Sequence, residues 1–158
     1  MERCVALTRH LAAALLCVAA LLAGTATVRA DERALVLVSA AAAPLPALSS
    51  LELRKLFLGM PLEKQGLHLS AVNNDSDALL HEVFLQKVMF MSARDYERQL
   101  LSNVFRTGAA RPSAVADTQQ VRTTLRAQPN AVTYMWASDA RSLSDLHVVQ
   151  VLWSGTVE

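Results

Sequence analysis

The sequence predicts an α/β layered domain in which a mixed sheet is flanked by helices. Three observations carry that reading. Residues 34–40, ALVLVSA, form an unbroken apolar and β-branched run of the kind a strand covered on both faces requires. Segments of helical period follow at 49–59, 73–90 and 92–108, each opened by capping residues. Two further apolar runs, AVTYMW at 131–136 and LHVVQVLW at 146–153, supply the closing strands. The resulting order, β α β α α α β β, interleaves strands with helices and so favours a layered α/β structure.

Residues 1–30 precede the first strand and read as an export signal. Arg3, Arg9 and His10 oppose Glu2, an apolar stretch runs from Leu11 to Ala23, and Val28-Arg29-Ala30 offers a cleavage site before Asp31. The uncharged stretch from Leu11 to Val28 is short for a spanning helix, which needs about 20 apolar residues. Leu16 before Cys17 speaks against a lipid-attachment site. The expectation is a cleaved signal at 1–30, a single domain at 31–158 and no stable membrane insertion afterwards. Cleavage takes away three of the 15 basic and one of the 14 acidic residues, leaving 128 residues with a formal charge of −1. It also removes both cysteines, Cys4 and Cys17, so the exported domain must fold on its core without a disulfide.

The elements of the domain follow in order. Two prolines close together make 41–48 a loop. Ser49 and Glu52 stand at capping-box spacing, Leu53, Leu56 and Phe57 share a helical face, and Gly59 is the stop. Residues 60–66 read as a loop, and 67–73 alternate as a strand. Helical period then runs to Phe90, with Leu79, Leu80, Val83, Phe84, Lys87 and Val88 on one face and Asn74, Asp75 and Ser76 as competent caps. Ser92 and Asp95 announce a helix that points Tyr96, Leu100, Val104 and Phe105 inward and stops near Gly108. Residues 108–113 form a loop, 114–127 a shorter helix with Val121 and Leu125 inward, and a polar loop separates the last two strands. Phe57, Phe84 and Phe105 are expected to meet in one core against strand 34–40.

Composition narrows function. At 53% hydrophobic and 18% charged, the chain is no disordered polyelectrolyte, and a formal charge of +1 gives no electrostatic case for nucleic acid. His68, His81 and His147 are scattered and form no zincin pair. No G-x-S-x-G elbow or glycine-rich phosphate loop is present. Met89, Met91 and Met135 read as core methionines rather than copper ligands. Arg94, Arg98, Arg106 and Arg111, interspersed with Asp95 and Glu97, read as a solvated helix face. No metal, cofactor or catalytic residue is assigned.

Three stretches in sequence carry a family resemblance. LSSLELRKLFLGMPL is similar to the stretch L-S-x-x-E-L-x-x-I-F-L-G-K. AVNNDSDALLHEVFLQKVMFMSARDYERQLLSNVFRTG is similar to a strand, a D-S turn and a helix ending in F-x-x-x-V-L-G-x-S, followed by a helix ending in V-F-T-G. PNAVTYM is similar to P-G-A-I-G-Y-V. Together they span roughly residues 35–153 and resemble the phosphate-type periplasmic solute-binding proteins of ABC transporters, in particular short single-lobe members. The resemblance implies a periplasmic-binding-protein-like (type II) single lobe, periplasmic localisation and a non-enzymatic solute-binding function linked to phosphate-type uptake. Partners are then a small solute or anion and an ABC transporter or another periplasmic protein. The alternative is a periplasmic interaction or accessory module that kept the lobe and lost the ligand.

The resemblance places the ligand at the turn after strand 67–73, where exposed amides and the positive end of a helix favour an anion. The candidate ligand-binding residues are Ser39, Asn73, Asn74, Asp75, Ser76, Thr107 and Gly108. Here the chain departs from the family pattern. Asn and Asp-Ala stand where phosphate binders carry Arg and S-G-T, and Asp75 and Asp77 flank the one matched hydroxyl, Ser76. Thr133 replaces the glycine of the G-Y-V block, and 128 residues amount to about half of a two-lobed binder. Two carboxylates at that helix start would repel phosphate. The expectation is weak or altered binding that favours neutral or cationic solutes.

Overall fold

The computed structural model describes residues 32–40 and 45–157. The export signal expected at 1–30 and its cleavage site lie outside the described residues. The elements are β1 (Glu32–Ala40), α1 (Ser50–Phe57), β2 (Leu62–Lys64), β3 (Leu67–Asn74), α2 (Ala78–Phe84), a π-helical turn (Leu85–Met89) and α3 (Ala93–Thr107). They continue with β4 (Ser113–Val115), α4 (Thr118–Ala127), β5 (Ala131–Trp136), α5 (Ala137–Ser142) and β6 (Leu146–Thr156).

The sheet is mixed and runs β2-β3-β5-β1-β6, with β4 added to β3. β3 pairs with β5 and β4 in parallel, whereas β1 lies antiparallel to both β5 and β6. Side chains of β1 and β5 alternate across this sheet and are buried on both faces, which explains their unbroken apolar runs. Leu35 and Leu37 of β1, and Val132, Tyr134 and Trp136 of β5, pack against Leu53, Leu56 and Phe57 of α1, Leu80 and Phe84 of α2, and Tyr96 and Leu100 of α3. On the opposite face Val36, Val38, Val72 and Met135 meet Val121 and Leu125 of α4 and Ala140 of α5. The expected sheet flanked by helices is the one observed.

The caps show why the helices start where they do. Ser49 and Glu52 exchange backbone bonds in a capping box, Ser92 caps α3 through the Asp95 amide, and Asp117 caps α4. Lys64 adds a 2.8 Å bond to Glu52 that, with the Ser49 amide and hydroxyl, holds this carboxyl down at about 2. Gly59 and Gly108 end α1 and α3 at φ +75° and +66°, the left-handed region that glycine enters without penalty.

Several expectations need correction. Phe57 and Phe84 lie in the core, but Phe105 is 86% exposed and Val104 is half-buried. The buried seam of α3 is Tyr96, Leu100 and Asn103. At about 100° per residue, Phe105 falls opposite Tyr96, while Asn103 falls almost on its line. The Asn103 amide nitrogen donates to the Leu58 carbonyl at 3.1 Å, so a polar residue fills the seam at no unpaired cost. The cap of α2 is Asp77 rather than Asn74, Asp75 or Ser76, and the helix expected to Phe90 ends in the π turn at Met89. Lys87 stays exposed, outside the apolar face assigned to it. Strands β2 and β4 and helix α5 fall where loops or helix were expected, each being too short to display a period.

Candidate functional site

The C-terminal end of β3 carries a polar cluster. Asn73 and Asn74 are buried between β4 and β5, where side-chain amides must find partners. Asn73 Nδ2 donates to the Tyr96 hydroxyl at 3.0 Å, and that hydroxyl donates to the Phe57 carbonyl at 2.7 Å. Asn74 Nδ2 donates to the Tyr134 carbonyl at 3.0 Å. Its Oδ1 accepts from the Ser76 amide at 3.1 Å and the Ser76 hydroxyl at 2.6 Å. Asp77 Oδ1 accepts from the Leu79 and Leu80 amides, and its Oδ2 accepts from Trp136 Nε1 at 2.9 Å. The Ser76 amide and hydroxyl and the Asp75, Leu79 and Leu80 amides are therefore already paired inside the protein.

His81, one turn into α2, links this cluster to the core. Its Nδ1 lies 2.6 Å from the Tyr134 hydroxyl and 3.3 Å from Asp75 Oδ1. Phe84 stacks on the Tyr134 ring at 3.8 Å, and Phe57 packs edge-on to Phe84 at 4.8 Å. Burial pushes the Tyr96 phenol up to about 12 and raises that of Tyr134 as well, the Asp75 charge acting in the same direction on both. Asp77 is held below the usual carboxylate range, first by the Trp136 donor and then by the Leu79 and Leu80 amides and Arg33, against the opposing effect of burial.

The turn thus presents the Asp75 carboxylate about half exposed, with Asp77 complementing the start of α2. Among the described residues the Ser76 hydroxyl bonds the Asn74 amide oxygen rather than a base.

The structure brings Asn73, Asn74, Asp75 and Ser76 together and leaves the other three candidates elsewhere. Ser39 does not end a strand next to β3. Its register partners are Val132 and His147, and β5 stands between β1 and β3. Because β1 runs antiparallel, its last residues lie at the start of β5, away from the turn. The Ser39 hydroxyl is fully buried and has no hydrogen-bond partner among the described residues. Thr107 and Gly108 close α3 at its far end, about 16 Å along the helix from Tyr96. Thr107 Oγ1 donates to the Asn103 carbonyl there. Nearby, Gly59, Met60 and residues 109–113 line a separate pocket of about 420 Å3.

Sequence reasoning treated His81 as a lone helical histidine. Tyr134 held the signal, since a tyrosine in a strand buried on both faces must find a polar partner. Thr133, read as the loss of a glycine, donates its hydroxyl to the Val72 carbonyl at 2.7 Å and ties β5 to β3. Met89 and Met135 are buried in the core, as expected. Arg98 and Arg111 pair with Asp95 and Glu97, in keeping with a solvated helix face.

No protein-family model matches the sequence, and no curated protein matches it. Solved structures do. An ABC-type phosphate transport receptor from Vibrio cholerae superposes with a TM-score of 0.55 at 12% identity, covering 75% of this chain and 46% of the receptor. PstS from Borrelia burgdorferi gives a TM-score of 0.46 at 15% identity, covering 70% of this chain and 43% of that one. The chain thus spans less than half the length of the receptors it matches. The periplasmic-binding-protein-like α/β fold expected from the sequence is the fold found.

Proposed function

We propose that this chain is an exported, non-enzymatic solute-binding-type protein whose ligand, if it follows the receptor pattern, docks at the β3–α2 turn formed by Asn73, Asn74, Asp75 and Ser76. The fold shared with the Vibrio phosphate receptor carries the reading. The composition of the turn sets its limit, because the Ser76 amide and hydroxyl are already bonded to Asn74 and Asp75 faces outward, about half exposed. Phosphate is therefore held weakly, and neutral or cationic solutes are preferred. Periplasmic localisation and a link to an ABC transporter belong to the same proposal. None of the described helices is long and apolar enough to cross a membrane. Export is checked by intact mass: the periplasmic form should begin at Asp31, and recovery of the full chain in membranes would contradict it.

A thermal-shift panel of phosphate, sulfate, small carboxylates, sugars and amines tests the binding reading. A ligand at 100 times its dissociation constant stabilises by about 2.7 kcal/mol. A shift with a neutral or cationic solute, lost in Asp75→Ala, supports it. A flat panel favours the second reading, a periplasmic interaction module that kept the lobe and lost the ligand. One observation speaks for that reading: α3 exposes Leu101 and Phe105, one turn apart on its outer side.

A further inference from the structure

A second pocket, of about 330 Å3, lies beside the turn, between the outer side of α2 and the chain entering α3. Leu85, Met91 and Ala93 give it apolar walls, and His81, Glu82 and Gln86 supply its polar groups. The backbone around it is unusual. The π turn adds one residue to the helical repeat, and Phe90 then adopts φ +55°, a left-handed conformation that is strained for a bulky residue. That reversal lets the Met91 amide donate to the Leu85 carbonyl at 3.1 Å and folds Met91 back as a wall, while the Phe90 side chain is left 70% exposed. Strain of this kind concentrates at binding sites.

The hydrogen bonds fix what the pocket offers. Among the described residues the Tyr134 hydroxyl has His81 Nδ1 as its side-chain partner, and burial keeps that phenol protonated. The Tyr134 hydroxyl donates to Nδ1 when that nitrogen is bare, and Asp75 Oδ1, 3.3 Å away, accepts when it is protonated in the imidazolium. In both of these states Nε2 carries a hydrogen, and the ring edge opposite Nδ1 is then a donor. Gln86 Nε2 donates to Glu82 Oε1 at 2.9 Å, which leaves the Gln86 carbonyl and the second Glu82 oxygen as acceptors. One donor and a pair of acceptors over apolar walls match a group that has both a carbonyl and an N–H. The Glu82 and Asp75 carboxylates disfavour an anion, and the His81 donor disfavours an ammonium.

We propose that this pocket binds small uncharged amides with a branched aliphatic body, the amide carbonyl accepting from His81 Nε2 and the amide N–H donating to Gln86 and Glu82. The volume is at the low end for ligand sites, so the ligand is small and its affinity modest, with a dissociation constant on the order of 1 mM. The pocket adjoins the turn through His81, and Gln86→Leu, which alters only the pocket, separates amide binding there from phosphate binding at the turn.

The test uses three isosteric probes, 3-methylbutanamide, 3-methylbutanoate and 3-methylbutylamine, with imidazole nitrogen NMR of the full chain at neutral pH. The amide should shift the His81 Nε2 resonance saturably, and the two charged probes should bind at least about tenfold more weakly. His81→Phe should abolish binding. Gln86→Leu, at an exposed position that cannot threaten the fold, should weaken it about tenfold, the factor a single hydrogen bond of this size gives. No saturable shift, equal binding of the carboxylate or amine, or a Gln86→Leu variant that binds as wild type would each overturn the proposal.

Discussion

Tyr96 and Tyr134 are the two tyrosines of the chain, and both are buried beside the β3–α2 turn. Phenol ionisation therefore reports on the candidate site without background. In the unfolded chain each phenol ionises near pH 10. In the folded chain burial pushes Tyr96 up to about 12 and Tyr134 upward as well. Above pH 10 the unfolded state releases protons that the folded state keeps, so stability is complete below pH 10 and falls as pH rises toward 12. Two units on Tyr96 alone remove about 2 kcal/mol by pH 12, and Tyr134 adds to it. That is a large share of the 5–15 kcal/mol typical of a domain. Tyrosinate absorbance and circular dichroism, followed from pH 9 to pH 12 with denaturant midpoints at each step, make the measurement. Phenolate should appear together with unfolding, and Tyr96→Phe should flatten the slope. A phenol titrating near pH 10 in a chain with native dichroism would refute the burial of Tyr96 and the Asn73–Tyr96–Phe57 network with it.

Phe84→Ala should lower stability by about 3–5 kcal/mol, because it removes the ring stacked on Tyr134, whereas Phe105→Ala should change it by less than about 0.5 kcal/mol. Equal denaturant midpoints for the two variants would contradict the register of α3. Ser39→Ala, which removes a buried hydroxyl without a partner among the described residues, should raise stability by about 1 kcal/mol, and a loss would show that the hydroxyl is bonded. Asp77→Ala removes the α2 cap and orphans Trp136 Nε1, at a cost of about 2–3 kcal/mol in chemical denaturation. The depressed Asp77 carboxyl contributes stability that is present above the usual carboxylate value and lost as pH falls through its folded one. Wild type should therefore destabilise more steeply on acidification than Asp77→Asn.

Elements with a long period or a cap were legible in the sequence. ALVLVSA and AVTYMW are strands because both sheet faces are covered, and Ser49-Glu52 and Ser92-Asp95 cap the helices their spacing implied. Phe105 was misplaced because the seam of α3 accepts Asn103, whose amide finds the Leu58 carbonyl only in three dimensions. The four turn residues at 73–76 were legible as a cluster, since they follow a strand and precede a helix. Ser39, Thr107 and Gly108 were not separable from it, because the antiparallel direction of β1 and the length of α3 are tertiary facts. The His81–Tyr134 contact joins residues 53 positions apart and left no local trace. The π turn was hidden as well, since its residues continue the helical period of α2.

Titration calorimetry with phosphate at neutral pH, on wild type and Ser76→Ala, tests the central claim most directly. The Ser76 amide and hydroxyl are bonded to Asn74 and Asp75 is exposed, so no micromolar binding is expected and the two proteins should behave alike. A micromolar dissociation constant that Ser76→Ala abolishes would contradict the account, showing that Asp75 and Asp77 do not keep anions from this turn.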